Sequence, residues 1–220
     1  MADALDRKAF HQFTYGLFLL TTRAGERDNG CIINTAIQAG SEPRQLSIAC
    51  VKGSCTQEMI DQAGQFNVSV LTEATPAEFF AHFGLQSGHD VEKFSAGDTV
   101  QVPGGSVARA GNGLFYAVDA NAYFTCTVVE RIDIGSHVMY VGKVETAVRL
   151  SDGPSITYGY YQRVTKKKDA PAAAATGEII GWRCTICGYV YEGADLPADF
   201  ICPVCKHGAE DFEPIYASAE

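Results

Sequence analysis

Four cysteines in the last 40 residues of the chain form its clearest metal-binding pattern. They lie in two C-x-x-C pairs separated by 14 residues, and they are Cys184, Cys187, Cys202 and Cys205. Four thiolates with this spacing can surround one ion as a tetrahedral S4 site, which suits either zinc or iron. The spacing therefore predicts a metal centre and leaves the identity of the ion open.

The other four cysteines, Cys31, Cys50, Cys55 and Cys126, are scattered through the preceding sequence. The amino-terminal stretch MADALDRKAFHQF carries charges throughout and has no apolar core of the kind that marks an export signal. We therefore expect a cytoplasmic protein, in which disulfides are rare and metal ligation is favoured. The scattered cysteines are predicted to be small buried thiols.

The composition excludes two classes of partner. With 46% apolar and 20% charged residues in 220, the chain has the make-up of a water-soluble globular protein. A net charge of -9 argues against nucleic acid, because phosphate binding needs a basic surface. The sequence also lacks an apolar run of about 18 residues, the length that spans a membrane. We expect neither a nucleic-acid nor a membrane partner.

The amino-acid composition of the chain changes near residue 166. The stretch KKKDAPAAAATGE, residues 166–178, shows no hydrophobic periodicity and is rich in alanine, which indicates a tether. The sequence thus predicts a large domain at 1–165, a linker at 166–177 and a small module at 178–220. That module has eight Asp or Glu residues against Arg183 and Lys206, a balance of -6.

The large domain is predicted to be mainly β with short helices. Residues 66–71, 122–129 and 137–144 alternate apolar and polar side chains, which is typical of strands in a closed or sandwiched antiparallel sheet. In addition, TPAEFFAHFG (75–84) predicts a helix with Thr75 as N-cap and three buried phenylalanines, Phe79, Phe80 and Phe83.

A second predicted helix, in VKGSCTQEMIDQAG (51–64), has a start that could bind an anion. Ser54 and Gln57 have capping-box spacing after a turn at Gly53. Lys52, the hydroxyls of Ser54 and Thr56, and free backbone N–H groups would then meet at one place, as a phosphate requires. The alternative is an ordinary capped helix without a ligand.

The order of several short motifs resembles the flavin reductase-like family, which binds FMN in a split β-barrel. The motifs are Thr21-Thr22, Asn29-Gly30, Asn34-Thr35, Pro43 and the loop 52–56, and the resemblance continues through residues 82–94, 135–144 and 155–164. It covers essentially all of residues 5–165. The family usually places its flavin at a dimer interface, so the resemblance also implies a homodimer.

The resemblance assigns candidate cofactor contacts. The phosphate of FMN would be held by Lys52, Ser54 and Thr56. The isoalloxazine edge would be lined by Asn34, Thr35, Ala36 and Gln38. The ribityl chain would pass Cys50 and Val51. His137 takes the position of a histidine that the family has near the flavin, although an ordinary buried or surface histidine is an alternative.

The cysteine-rich segment resembles rubredoxin. The sequences GWRCTICGYVYEG, DFICPVC and DFEPI surround the cysteines with aromatic residues, namely Trp182, Tyr189, Tyr191, Phe200 and Phe212. The resemblance implies that the four cysteines together hold one iron. The short gap between the pairs, and Lys206 where glycine is common, leave a structural zinc module as an alternative.

Together these resemblances imply an NAD(P)H-dependent flavin/rubredoxin oxidoreductase, similar to the high-molecular-weight rubredoxins. NAD(P)H supplies two electrons as a hydride, FMN can release them singly, and an iron centre with four thiolate ligands takes one at a time. The implied acceptor is a redox partner such as a flavodiiron oxygen or nitric oxide reductase. The sequence has no G-x-G-x-x-G motif, so the nicotinamide would stack directly on the flavin. The other function class is a non-enzymatic carrier of electrons supplied by other proteins.

Overall fold

A computed structural model describes residues 7–165, 178–184, 189–203 and 208–217. The first range contains ten strands: β1 (Phe18–Ala24), β2 (Arg27–Ile33), β3 (Ala36–Ser41), β4 (Arg44–Val51), β5 (Gln65–Val70), β6 (Thr99–Val102), β7 (Gly105–Arg109), β8 (Phe115–Ala117), β9 (Ala122–Asp133) and β10 (His137–Arg149). Its helices are α1 (Cys55–Ala63), α2 (Ala77–Gly84) and α3 (Tyr158–Tyr160), with a 3-10 turn at Arg7–Gln12 and a π-helical turn at Tyr161–Thr165. In this part of the chain the architecture is mainly β with short helices, as predicted.

Seven strands form one antiparallel sheet in the order β2-β1-β5-β9-β10-β4-β3. The edge strands β2 and β3 lie at opposite ends of this order, yet only residues 34 and 35 join them. A two-residue link can connect opposite edges only if the sheet curls until they meet. The sheet is therefore a barrel with an open seam between β2 and β3. The strands β6, β7 and β8 form a separate three-stranded sheet.

Two apolar clusters hold this domain together. One lies inside the curled sheet and takes buried side chains from six of its strands and from α1, including Leu20, Ile48, Phe66 and Ile60. The other joins the outer face of β1 to α2 and to the small sheet. Phe79, Phe80 and Phe83 are all buried in this second cluster, as predicted.

The start of α2 differs from the prediction. Its N-cap is Pro76, in an extended conformation and without a side-chain cap, rather than Thr75. The hydroxyl of Thr75 instead accepts a hydrogen bond from the backbone N–H of Thr72, at 3.1 Å. The N-cap prediction for this helix was wrong because the Thr75 hydroxyl is used in a local turn instead.

In the long hairpin of β9 and β10, the backbone of β10 at Gly142 lies very close to neighbouring side chains. A Cβ atom added to Gly142 would lie 2.5 Å from a ring carbon of Phe66 and 2.8 Å from the Cβ of Cys126. The register between β9 and β10 also shifts next to Gly142. Glycine is required here because the Phe66 ring and the Cys126 side chain already occupy the space of a Cβ atom.

The carboxy-terminal ranges form a third sheet, in the order β12-β11-β13. Its strands are β11 (Ile179–Cys184), β12 (Val190–Glu192) and β13 (Phe212–Tyr216), with a 3-10 turn at Ala209–Asp211. Across all the ranges described, no helix has the length and apolar character needed to cross a bilayer.

Candidate functional site

Antiparallel pairing brings the end of β4 beside the start of β10. Val51 lies opposite His137, and Cys50 lies opposite Val138. One residue further on, the backbone N–H of Lys52 donates to the carbonyl of Ser136, at 3.0 Å. These pairings bring Cys50, Val51 and Lys52 close to His137, although they are distant from it in sequence.

The predicted residues 34–38 lie along the seam and the adjoining edge strand. The hydroxyl of Thr35 donates to the carbonyl of Ala49 at 3.0 Å, and the Ala49 N–H donates to the Thr35 carbonyl at 3.2 Å. Along β3, Ala36 pairs with Ile48, and Gln38 pairs with Leu46. The Gln38 side chain is exposed and donates to the carbonyl of Gly40, at 3.2 Å. The seam therefore presents backbone and amide groups at an open edge.

The predicted helix start in residues 51–64 is confirmed. Ser54 is the N-cap of α1, and its hydroxyl oxygen accepts from the Gln57 N–H at 3.3 Å. The Gln57 side chain in turn accepts from the N–H of Gly53, whose φ of 75° suits glycine. Within the described residues, no hydrogen bond uses the backbone N–H of Cys55 or Thr56. These two groups are the donors that a helix start leaves for an anion.

Lys52 stands beside these donors with its side chain half exposed. Its ammonium group pairs with the carboxylate of Asp133, at the end of β9. The Lys52 ammonium and the backbone N–H of Gly135 lower the pKa of Asp133. An exposed pair of this kind contributes little to stability, so the ammonium group can exchange its partner for another anion. Sequence reasoning did not find Asp133, since it lies 81 residues from Lys52.

Thr56 does not point toward the same space. Its side chain is 2% exposed, and its hydroxyl oxygen accepts from the Asn29 side-chain amide at 3.1 Å. Any contact from Thr56 to a phosphate at the helix start would therefore come from its backbone N–H. No local sequence pattern indicates that this threonine faces the barrel interior.

His137 is the first residue of β10, directly after the turn that follows β9. Its Nδ1 atom is 2.9 Å from the Ser136 hydroxyl, and its side chain is partly exposed. The strand pairing thus places it next to Val51 and close to Lys52. Its position beside the predicted phosphate loop, at an accessible surface, is compatible with the role that the resemblance implies.

A network of hydrogen bonds between buried and exposed polar groups fixes α1 against the barrel. The Tyr140 hydroxyl donates to the Asp61 carboxylate at 2.6 Å, and the Gln57 amide donates to both residues, at 3.0 and 2.6 Å. Arg131 donates to the same carboxylate at 2.8 Å. Although burial raises the pKa of Asp61, the hydrogen bonds from Arg131 and Tyr140 outweigh it and lower that pKa. The network holds the helix start in position over the seam.

The predicted metal ligands are partly within the described residues. Cys184 and Cys202 are 0% exposed, whereas Cys187 and Cys205 lie outside the described residues. The two described thiols pack in a cluster with Trp182, Tyr189, Tyr191, Leu196, Phe200 and Phe212. The backbone N–H of Cys184 donates to the carbonyl of Tyr189 at 2.8 Å, which holds these two residues together.

This environment fits a metal held by thiolates. Phe200 lies edge-on to Tyr191 and to Phe212, with ring centroids 4.8 and 5.4 Å away, and these rings cover the thiol pair. A tetrahedral site of four thiolates would place a cation within this aromatic enclosure, and a cation is what buried thiolates require. The chemistry of the donor set therefore agrees with the predicted metal, and both iron and zinc satisfy it.

Comparison with known proteins identifies both parts of the chain. Residues 10–168 match the family model described as flavin reductase like domain, and residues 182–213 match the rubrerythrin, rubredoxin-like domain. The high molecular weight rubredoxin of Moorella thermoacetica is 34% identical over 96% of this chain and 100% of its own. A ferric-chelate reductase (NAD(P)H) of Archaeoglobus fulgidus is 34% identical over 74% of this chain and 93% of its own.

A solved structure agrees with the barrel architecture. An FMN-binding protein from Thermus thermophilus superposes with a TM-score of 0.61 over 72% of this chain and 89% of its own, at 19% identity. That structural similarity shows the split-barrel fold. The family matches and the two relatives with 34% identity show the family to which the chain belongs. The chain is therefore an oxidoreductase that belongs to the flavin reductase like family and carries a rubredoxin-like domain.

Proposed function

We propose that the protein passes electrons from NAD(P)H through FMN to an iron centre held by Cys184, Cys187, Cys202 and Cys205, and then to a protein acceptor. The observation that carries this proposal is the presence of a flavin reductase like domain and a rubredoxin-like domain on one chain. When bound, FMN accepts a hydride and releases electrons singly, and a four-thiolate iron accepts one electron at a time.

The helix start of α1 supports a site for the FMN phosphate. Lys52 supplies a half-exposed positive charge, and Cys55 and Thr56 supply backbone N–H groups. The Ser54 hydroxyl accepts from Gln57 but keeps its own proton, so it can also donate to a phosphate oxygen. A charge, two amides and one hydroxyl at a single place match the donors that a phosphate needs.

The seam supports a site for the flavin ring and its ribityl chain. The open edge formed by residues 34–38 would contact the isoalloxazine through backbone and amide groups. Cys50 is only 1% exposed, so its contribution to the ribityl chain would come from its backbone, next to Val51. His137, opposite Val51, would border the ring from the side of the β9–β10 turn.

The small module would act as the one-electron carrier. The two units would span residues 1–165 and 178–220, joined by a linker at 166–177. The net charge of -6 on the module would guide it to a basic surface on the acceptor, with an association rate that falls as salt is added. A flavodiiron oxygen or nitric oxide reductase is the proposed acceptor class, from the resemblance to high-molecular-weight rubredoxins.

The homodimer is part of the same proposal. Ile37, next to Ala36 on the edge strand β3, is 68% exposed, and a second copy of the chain would cover it. Light scattering on the purified protein should then give twice the chain mass of 23.6 kDa. A mass of one chain at micromolar concentration would exclude the dimer.

The decisive experiment follows electrons through the full chain by anaerobic stopped-flow absorbance. On mixing with NAD(P)H, the flavin band should bleach first and the iron-thiolate band second. Cys202→Ala breaks the metal site, so it should keep flavin bleaching and lose most transfer to a one-electron protein acceptor. Cys126→Ala is the matched control, because it removes a buried thiol of the barrel and should keep both steps.

Each of the other possible outcomes would indicate a different function. Iron reduced before flavin, or full acceptor activity in Cys202→Ala, would contradict the proposed order. Flavin that NAD(P)H does not bleach would make the protein a carrier loaded by other proteins. Stoichiometric zinc in protein made with adequate iron would make the module structural.

A further inference from the structure

A cavity of about 310 Å³ lies on the outer side of the barrel. It opens between the end of β5, the start of α2, the turn from β6 to β7 and the residues that follow β8. Its floor includes Leu71, Phe79 and Ala117, which are buried and belong to the outer apolar cluster. Within the described residues, its lining contains none of the predicted flavin contacts. A cavity of this size accommodates a small organic molecule.

Two glycines at the turn from β6 to β7 shape this space. Gly104 has a φ of 75°, and a Cβ atom there would lie 2.7 Å from the backbone nitrogen of Phe79, so a side chain is excluded. A Cβ atom at Gly105 would lie 3.4 Å from the Phe79 ring and 3.7 Å from a carboxylate oxygen of Asp119, which are ordinary contact distances. The space beside Gly105 is therefore bounded by an aromatic ring and by a carboxylate.

The charged groups at this cavity are negative. Asp119 is the only charged residue in the described lining, and none of the ion pairs within the described residues involves it. Glu73 and Glu78 adjoin lining residues in the sequence and are likewise outside those ion pairs. Glu78 lies in the first turn of α2, where it offsets the positive end of this short helix. The electrostatic potential at the cavity therefore favours a cation.

The polar part of the lining offers oxygen acceptors. Besides the Asp119 carboxylate, it includes the side chains of Ser106 and Thr75. The Thr75 hydroxyl accepts from the backbone N–H of Thr72 at 3.1 Å and lies 3.4 Å from the Thr72 hydroxyl. An ammonium group has three donors and no acceptor, so it matches a carboxylate with neighbouring hydroxyl oxygens.

We propose that this cavity binds a small organic ammonium ion, a primary amine attached to an apolar body such as a ring. The apolar body contacts Leu71, Phe79 and Ala117, and the ammonium group pairs with Asp119. Most of the affinity comes from the apolar contact, because an exposed ion pair contributes little. The proposal does not depend on a bound flavin or on the proposed electron route.

The test uses the full-length protein with FMN added and three probes that share a phenyl ring and a short chain. The probes are phenethylamine, phenethyl alcohol and phenylpropionate, which are cationic, neutral and anionic at neutral pH. Titration should show saturable binding of the amine, with the alcohol at least about threefold weaker and the carboxylate at least about tenfold weaker. In NMR spectra, the backbone amides of Gly104, Gly105 and Ala117 should shift along the same titration.

Several results in the unmodified protein would overturn the proposal. They are equal affinity for amine and alcohol, amine binding that does not saturate at millimolar concentration, and amide shifts confined to other parts of the chain. None of these measurements depends on the folding of a variant.

Variants test the two halves of the site separately. Gly105→Val places a branched side chain in the cavity and should abolish amine binding. Asp119→Asn should weaken amine binding about threefold and leave the alcohol unaffected. Asp98→Asn is the matched control, because Asp98 is 99% exposed and lies outside this cavity, so it should bind all three probes as the unmodified protein does. Unchanged amine affinity in Gly105→Val and Asp119→Asn would place the ligand elsewhere and refute the site.

Discussion

Lys52 and Asp133 form one ion pair, but they should have opposite effects on flavin binding. If Lys52 binds the FMN phosphate, then Asp133 competes with that phosphate for the same ammonium group. Lys52→Ala removes a contact to the ligand and should weaken FMN binding. Asp133→Asn releases the lysine and should strengthen it. A pair that only supports the loop would give the same direction in both variants.

The half exposure of Lys52 sets the size of the effect. A charge-assisted hydrogen bond contributes about 1.5 to 3 kcal/mol when well shielded. Because 49% of the Lys52 side chain is exposed, we expect the lower end of this energy range. The dissociation constant for FMN should therefore be about tenfold larger in Lys52→Ala. The gain for Asp133→Asn is limited by the weakness of an exposed pair and should be about two- to fivefold.

Fluorescence titration of the flavin-free protein measures both effects. Riboflavin, which has no phosphate, is the control ligand, and both variants should bind it as the unmodified protein does. The Asp133→Asn gain should shrink as salt is raised, since salt screens exposed charges. Weaker FMN binding in both variants, or an equal loss of riboflavin binding, would refute a phosphate contact from Lys52.

Four further results are expected. The purified protein should contain about one iron per chain and show a visible ferric-thiolate band that dithionite bleaches, whereas stoichiometric zinc would contradict it. Gly142→Ala should destabilise the fold by about 1 to 3 kcal/mol in denaturant unfolding, while Gly111→Ala, with open space around it, should change little. Tyr140→Phe should cost about 1 to 2 kcal/mol, because it removes the donor to Asp61. The lowered folded pKa of Asp61 implies stabilisation that is complete above its unfolded pKa of about 3.9 and is lost as pH falls through the folded value. Asp61→Asn should flatten that part of the stability profile, and an unchanged acid limb would argue against the network.

Local sequence patterns predicted the strands and helices whose interacting residues lie close together in the sequence. The alternation in residues 137–144 corresponds to β10, whose Val138 and Tyr140 are buried in the barrel interior. The cap of α1 at Ser54 was also predictable, because its partner Gln57 is three residues away. Where the interacting residues are neighbours in sequence, the pattern contained the necessary information.

Long-range contacts were not predictable in the same way. The loop motif grouped Thr56 with the phosphate contacts, yet its hydroxyl is turned inward by Asn29, which is distant in the chain. Nor could periodicity reveal that Lys93 is buried, with its ammonium group donating to the carbonyl of Gly30 at 3.0 Å, because a lysine is normally expected at the surface. These contacts exist only after the sheet curls, so they depend on topology rather than on local propensity.

The path of the chain around the barrel also sets an order in which its parts can form. The β1–β2 and β9–β10 hairpins pair segments that are adjacent in sequence, so they close short loops. The pairing of β4 with β10 joins distant segments, and its loop closure costs more chain entropy. The loop at residues 52–56 is complete only after that pairing, so we expect it to assemble late in folding. A ligand bound there would then slow unfolding more than it accelerates folding, and it would extend the lifetime of the native state.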